Sequence, residues 1–203
     1  MKNELKLTIS NGNKKMGLIK SVSLPPGLTC ADGCKCIEKC YAMKLCRIYK
    51  NVEKSYNNNF EFYLNKPKEY FEEVYKAACT QRFFRWHVGG DIVDYRYFLN
   101  MVYIADVLPN TEFLVFTKKY DIVNEYLYWE GGHKPSNLHL IFSAWDGMEM
   151  KNPYNLPVAH VLPKKAEVPE GWELCGGNCL ECALGGVGCW HMLSGEHIAF
   201  YEH

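Results

Sequence analysis

Nine of the ten cysteines fall into two short stretches. Cys30, Cys34, Cys36, Cys40 and Cys46 lie in TCADGCKCIEKCYAMKLC, and Cys175, Cys179, Cys182 and Cys189 lie in CGGNCLECALGGVGC; only Cys79 stands apart. Thiolates a few residues apart on a turn converge on one inorganic centre, and all-thiolate sets select zinc or iron–sulfur clusters. Structural zinc sites of this type show two C-x2-C knuckles separated by a long loop. Neither stretch has that form. Four thiolates in one loop suit an iron–sulfur cluster better, with 4Fe-4S the expected type, and zinc is the alternative. Glycines in the second loop (Gly176, Gly177, Gly185, Gly186 and Gly188) let backbone N–H groups turn towards cluster sulfurs. The first stretch holds one thiol more than a cluster needs. Cys46 is the spare, because it falls on the helix after the loop, and Cys79 reads as a small core residue beside an apolar helical face. His191 is a surface histidine, or a substitute ligand after Cys189-Trp190.

The other residues with chemical potential depend on the elements that carry them. From about residue 60 to 162 helix and strand patterns alternate. Pro67 opens a helix with Tyr70, Phe71, Val74, Tyr75 and Ala78 on its apolar face. Phe83 to Val88 is a short strand cut by Gly89-Gly90. A helix bearing Phe98, Val102, Ala105 and Leu108 stops at Pro109. Thr111 to Thr117 reads as a buried strand. Asp121 is placed as the N-cap of a helix with Ile122, Val123, Tyr126 and Leu127, ending at Gly131-Gly132. Leu138 to Ser143 and Val158 to Leu162 are further buried strands. The stretch before Pro25-Pro26 adds an edge strand or two.

Strands alternating with helices imply βα units and a mostly parallel sheet. Four or five strands are too few for a closed eight-stranded barrel, so the fold class is α/β, an open or partial βα barrel with two cysteine-rich metal-binding loops. The expected organisation is one domain over 1–203: an N-terminal cysteine loop and helix at 24–50, a βα core at 60–162, and a C-terminal cysteine loop and tail at 172–203.

Ligands in such folds bind at the carboxyl ends of the strands. Those ends deliver His87, Gly89, Gly90 and Asp91, then Thr117, Lys118 and Lys119, then Ser143, Trp145 and Asp146, then His160. The expected catalytic mouth is His87, Asp91, Lys118 and Asp146. Each has a plainer reading: Asp91 as a helix cap, Gly89-Gly90 as a turn, the lysines as solvated loop residues, His87 as a half-buried hydrogen-bonded residue. Trp145 packs over or covers the site.

Bulk properties exclude little and point inward. The 203 residues are 48% hydrophobic and 23% charged, an ordinary globular composition, and 23 basic residues balance 23 acidic ones. No bulk field draws nucleic acid or anionic lipid. Lys44, Arg47, Lys50 and Lys54 recur at helical spacing, either a solvated face or a local nucleic-acid surface, the latter not favoured. Met1 to Leu7 shows no secretory core and no apolar run reaches the length of a membrane span, so a cytoplasmic location with no membrane partner is expected. In that reducing compartment, ligation is the better use for so many thiols than disulfide pairing.

Several motifs carry a resemblance. CYA at Cys40 to Ala42, RWHVGGDI at Arg85 to Ile92, IADVLPN, FLVFTK at Phe113 to Lys118, the terminal cysteine loop closing in CW, and the final HIAFYEH resemble the phage "gene product 88" family, in order, from about Leu24 to His203. That family in turn looks like a compact relative of the radical S-adenosylmethionine (SAM) partial-barrel enzymes. Those enzymes carry a three-cysteine cluster loop after the first strand and a Gly-Gly-Glu-type turn after the second. The resemblance puts Gly89, Gly90 and Asp91 at that turn, with Asp91 against the ammonium of SAM. The first loop departs from the radical-enzyme spacing, which occurs instead at Cys175, Cys179 and Cys182, with Cys189 able to close that site as in auxiliary clusters. Cys30, Cys36 and Cys40, with Cys34 as fourth ligand, would hold the first centre. The resulting expectation is a protein with one or two iron–sulfur clusters, acting as a redox or radical-SAM-like enzyme on a small molecule. The alternatives are a binding protein with structural zinc or closed clusters that engages a host factor, or an electron-transfer protein.

Overall fold

The computed structural model describes residues 5–202. The first four residues of the N-terminal stretch read as lacking a secretory core, and His203 of the terminal motif, lie outside the described residues. Seven parallel strands form one open sheet in the order β1-β2-β3-β4-β5-β7-β6. They are β1 (Lys20–Val22), β2 (Phe83–Trp86), β3 (Glu112–Thr117), β4 (Leu138–Ser143), β5 (Val158–Leu162), β6 (Trp172–Leu174) and β7 (His197–Tyr201). The helices are α1 (Tyr41–Ile48), α2 (Lys50–Asn65), α3 (Pro67–Ala78), α4 (Tyr95–Val107), α5 (Tyr120–Trp129) and α6 (Cys179–Gly185). The expected open α/β sheet is therefore present, with seven strands rather than four or five, and every pairing is parallel.

Strand alternation builds two cores from this one sheet. Phe84, Trp86, Phe113, Val115, Leu140 and Phe142 face one side and pack against α2 to α5. Phe83, Leu114, Ile141, Ala159 and Ile198 face the other, where Ala183 of α6 and Trp190 cover them. Trp190 stands edge-on to Phe83 at 5.2 Å. The C-terminal cysteine loop is thus the lid of the second core, laid over the amino-terminal half of the strands. The carboxyl-terminal half of that same face is left free for a cavity.

Local chemistry explains the element ends and three corrections. Asp94 caps α4, its carboxylate accepting from the Tyr97 N–H at 2.7 Å. Helix α5 is capped at Lys119 rather than at Asp121, which lies in its first turn. The helix begins early because Tyr120 is held inward: its ring packs on Phe142 at 5.0 Å and its hydroxyl donates to the Ser143 carbonyl. Cys79 is exposed, not a core residue, since Ala78 takes the last buried position of α3 and the next residue turns to solvent. Tyr75 on the same helix is also largely exposed. The basic stripe is divided between two helices, because Tyr49 adopts extended backbone (φ −113°, ψ 97°) and breaks the run between Arg47 and Lys50. Among the described residues no helix is long and apolar enough to cross a membrane.

Phe113 is fully buried between Phe84 (5.9 Å) and Trp86 (6.5 Å) at the centre of the first core. Phe113→Ala is expected to lower the unfolding free energy by about 3–5 kcal/mol, read as a shift in the urea midpoint at unchanged slope. A loss under about 1 kcal/mol would show that this core does not carry the sheet.

Candidate functional site

The turn after β2 is woven into the exit of β1. Residues Val22 and Gly89 act as acceptors: the His87 N–H donates to the Val22 carbonyl at 2.9 Å, and the Leu24 N–H to the Gly89 carbonyl at 2.9 Å. Ser23 Oγ accepts from the Val88 N–H at 3.1 Å and the Gly89 N–H at 3.3 Å. Gly90 has φ +79°, and a Cβ there would lie 2.6 Å from both the Leu24 carbonyl oxygen and Thr29 Oγ1. The glycine is needed for the chain's own close approach, at the point where the first cysteine loop leaves the sheet.

Asp91 is not the cap of α4, a task that Asp94 performs. It is buried, and both its oxygens are engaged. One accepts from Thr117 Oγ1 at 2.6 Å and the Ile92 N–H at 2.7 Å, and the other from the Lys118 N–H at 2.8 Å. Burial raises its pKa, and these three donors oppose that rise. His87, with φ +53°, is buried. Its Nε2 is 3.0 Å from the Tyr97 hydroxyl, which is 2.8 Å from that of Tyr70, while its Nδ1 has no partner. Desolvation pushes the His87 pKa down to about 3, so the ring is neutral at physiological pH.

These residues line a cavity of about 590 Å³ at the carboxyl ends of the strands. Its walls bring together His87, Gly89, Gly90, Asp91, Lys118, Ser143 and Trp145 with all four cysteines of the first loop that were expected to bind metal. The Lys118 ammonium donates to Ser143 Oγ at 2.8 Å and lies 6.0 Å from the centre of the Trp145 ring. Asp146 is not brought in: it is exposed on the loop after β4, outside the cavity lining. Lys119 lies outside the lining as well. His160 sits within β5 on the opposite face, 2.9 Å from His197 and stacked at 3.9 Å on Trp172.

The cysteines are all free thiols. Cys34 and Cys36 Sγ are 2.9 Å apart, and the Gly27 N–H donates to Cys30 Sγ at 3.2 Å. Their shared hydrogen bond lowers the pKa of Cys34 and raises that of Cys36. Among the described residues no three His, Cys, Asp or Glu side chains are drawn together as a ready-made metal site. What the loops offer is donor type and number, four thiols on one cavity wall and four in the C-terminal loop. Cys46 is buried on α1, outside the cavity lining, and His191 is exposed.

Arg85 is a site residue that the strand reading passed over. It lies on the second face of β2, lines the cavity, and donates from Nη1 to Cys179 Sγ at 3.7 Å. It therefore stands between the two cysteine loops. The signal for it was present in Phe83-Phe84-Arg85-Trp86: alternation puts the arginine on the same face as Phe83, opposite the first core.

Fold and site together define a class: an open parallel α/β protein with a cavity at the strand ends, walled by a cysteine loop and backed by a second one. The match to the family model described as gene product 88, over residues 1–199, places the chain in that family. No curated protein and no solved structure matches the chain.

Because His87 stays neutral in the folded protein down to about pH 3 but ionises near 6.5 when unfolded, acidification through that window favours the unfolded state. His87→Asn removes the titration and keeps a residue tolerant of positive φ. The wild type should lose stability relative to this variant by about 1.4 kcal/mol per pH unit below pH ~6.5, measured by urea unfolding. Parallel pH profiles would mean that His87 is not buried neutral.

Proposed function

We propose that this gene product 88 family protein carries iron–sulfur clusters in its two cysteine loops and uses the cavity as the active site of a redox or radical-SAM-like enzyme. The observation that carries the reading is the shared wall: Cys30, Cys34, Cys36 and Cys40 line the same cavity as His87, Gly89, Gly90 and Lys118. Topology adds support, since the first cysteine loop follows β1 and the Gly-Gly-Asp turn follows β2. When bound, such clusters supply one-electron transfer. The chain's own residues then do the rest. Phe116 and Phe200 wall the cavity with apolar surface, Trp145 flanks it, and Lys118, steadied by Ser143, presents a positive charge. His87 presents a neutral ring next to the turn.

Asp91 has both oxygens committed within the fold, so its part is to hold the turn rather than to meet an ammonium group. That commitment also favours a second reading, in which zinc or closed clusters only staple the loops and the protein binds a partner. In the enzyme reading with SAM, one of the four thiols of the first loop stays off the metal.

The distinguishing experiment is iron and acid-labile sulfide analysis after anaerobic purification. The account expects about four irons with matching sulfide per occupied loop, and loss of one loop's share in Cys36→Ser or Cys182→Ser. Reduced protein that cleaves SAM would establish the radical reading. Zinc without sulfide would replace the proposal with the scaffold reading.

A further inference from the structure

Five basic residues line the cavity, and two of them, Arg85 and Lys118, sit at the strand ends and form no ion pair with a carboxylate among the described residues. Both are half-buried, and each is backed by an aromatic face: Arg85 Cζ lies 5.0 Å from the centre of the Phe116 ring, and the Lys118 ammonium 6.0 Å from that of Trp145. Of the five guanidinium donors, the one contact found is that of Nη1 to Cys179, and the buried Nε has no acceptor. A buried donor without an acceptor is costly, and a cation out of water is costlier still. Such groups are completed by water, by an ion or by a ligand.

The acids nearby form no ion pair with these two, although the Asp91 carboxylate and the Lys118 charge act on one another through space. Glu202 is taken by Lys39 at the rim at 2.8 Å, and Asp91 by its three donors. Lys44 and Arg47 of α1 and Glu38 also line the cavity.

We propose that the cavity binds a small anionic substrate through a carboxylate or phosphate group held between Arg85 and Lys118. An oxyanion at the floor supplies Arg85 with the acceptors it lacks, in the forked geometry that suits guanidinium, while Lys118 meets the same group as a point charge. Apolar surface from Phe116, Ala159 and Phe200 would take the rest of the molecule. The inference rests on the cavity being the active site proposed above. The competing role for the two cations is to balance the negative charge of clusters, Arg85 against the C-terminal loop and Lys118 against the first.

The test is isothermal titration calorimetry of malonate and of pyrophosphate, at constant ionic strength, into the full-length protein purified anaerobically, with iron content measured on the same samples. Saturable binding of one probe is expected, and which one binds assigns the group. Arg85→Gln and Lys118→Met should each weaken it at least tenfold, with Arg85→Lys intermediate and Lys54→Met, on the exposed face of α2, unchanged. If Arg85→Gln does not fold, Lys118→Met carries the test alone. The inference is overturned if folded wild-type protein binds neither probe, or if Lys118→Met binds as the wild type does. Iron-loaded protein that binds no anion refutes this inference only, whereas anion binding by iron-free protein refutes the cluster reading and leaves the anion site standing.

Discussion

The site depends on one buried carboxylate. Asp91 stands where three chain segments meet: its own N–H donates to Thr29 Oγ1 at 3.1 Å, at the root of the first cysteine loop, and its oxygens gather Thr117 and the Lys118 N–H at the end of β3. A carboxylate removed from water is tolerable only with such donors around it. Because they come from the turn after β2 and the end of β3, satisfying the charge ties that turn to the strand end, and the Asp91 N–H then anchors the root of the loop at Thr29. Gly90 makes that junction sterically feasible, and Ser23 and Thr29 supply its remaining hydrogen bonds.

From that junction the strand period sets the layers. On the second face of the sheet, the early residues of each strand (Phe83, Leu114, Ile141) go under the C-terminal cysteine loop, and residues two further along (Arg85, Phe116, Ser143) go to the cavity. The same alternation thus builds a core and a binding floor within one stretch of sheet. It also explains how the C-terminal loop packs, with Leu180, Ala183 and Trp190 laid against these strand residues. It covers apolar strand residues that no long helix reaches. A centre bound by its thiols would stabilise that lid and at the same time lie behind Arg85.

The legibility of this architecture in the sequence followed hydrophobic pattern strength. Leu138–Ser143 and Val158–Leu162 are found with the boundaries their apolar runs imply, and α3 and α4 follow their proline and apolar spacing. Strands β6 and β7 were missed as strands for a physical reason. Trp172–Leu174 is three residues long and mostly exposed, and His197–Tyr201 mixes histidine with aromatics, so neither shows a clean period of two. The strand-end rule singles out His87, the glycines, Asp91 and Lys118, all of which line the cavity, because apolar strands mark their own ends. It could not tell that Asp91 would turn inward to the fold, that Asp146 would face solvent, or that Arg85, inside a strand, would face the cavity. Those outcomes depend on which neighbours supply donors, and such neighbours are far apart in the chain.

The central proposal is an iron–sulfur centre in each cysteine loop, one at the cavity wall and one behind Arg85, and iron-edge anomalous diffraction from anaerobically grown crystals tests it most directly. The account predicts two iron peaks, one beside Cys30, Cys34, Cys36 and Cys40 at the cavity wall and one among Cys175, Cys179, Cys182 and Cys189 behind Arg85. Absence of iron at both loops, with zinc-edge peaks or disulfide density in its place, would contradict it.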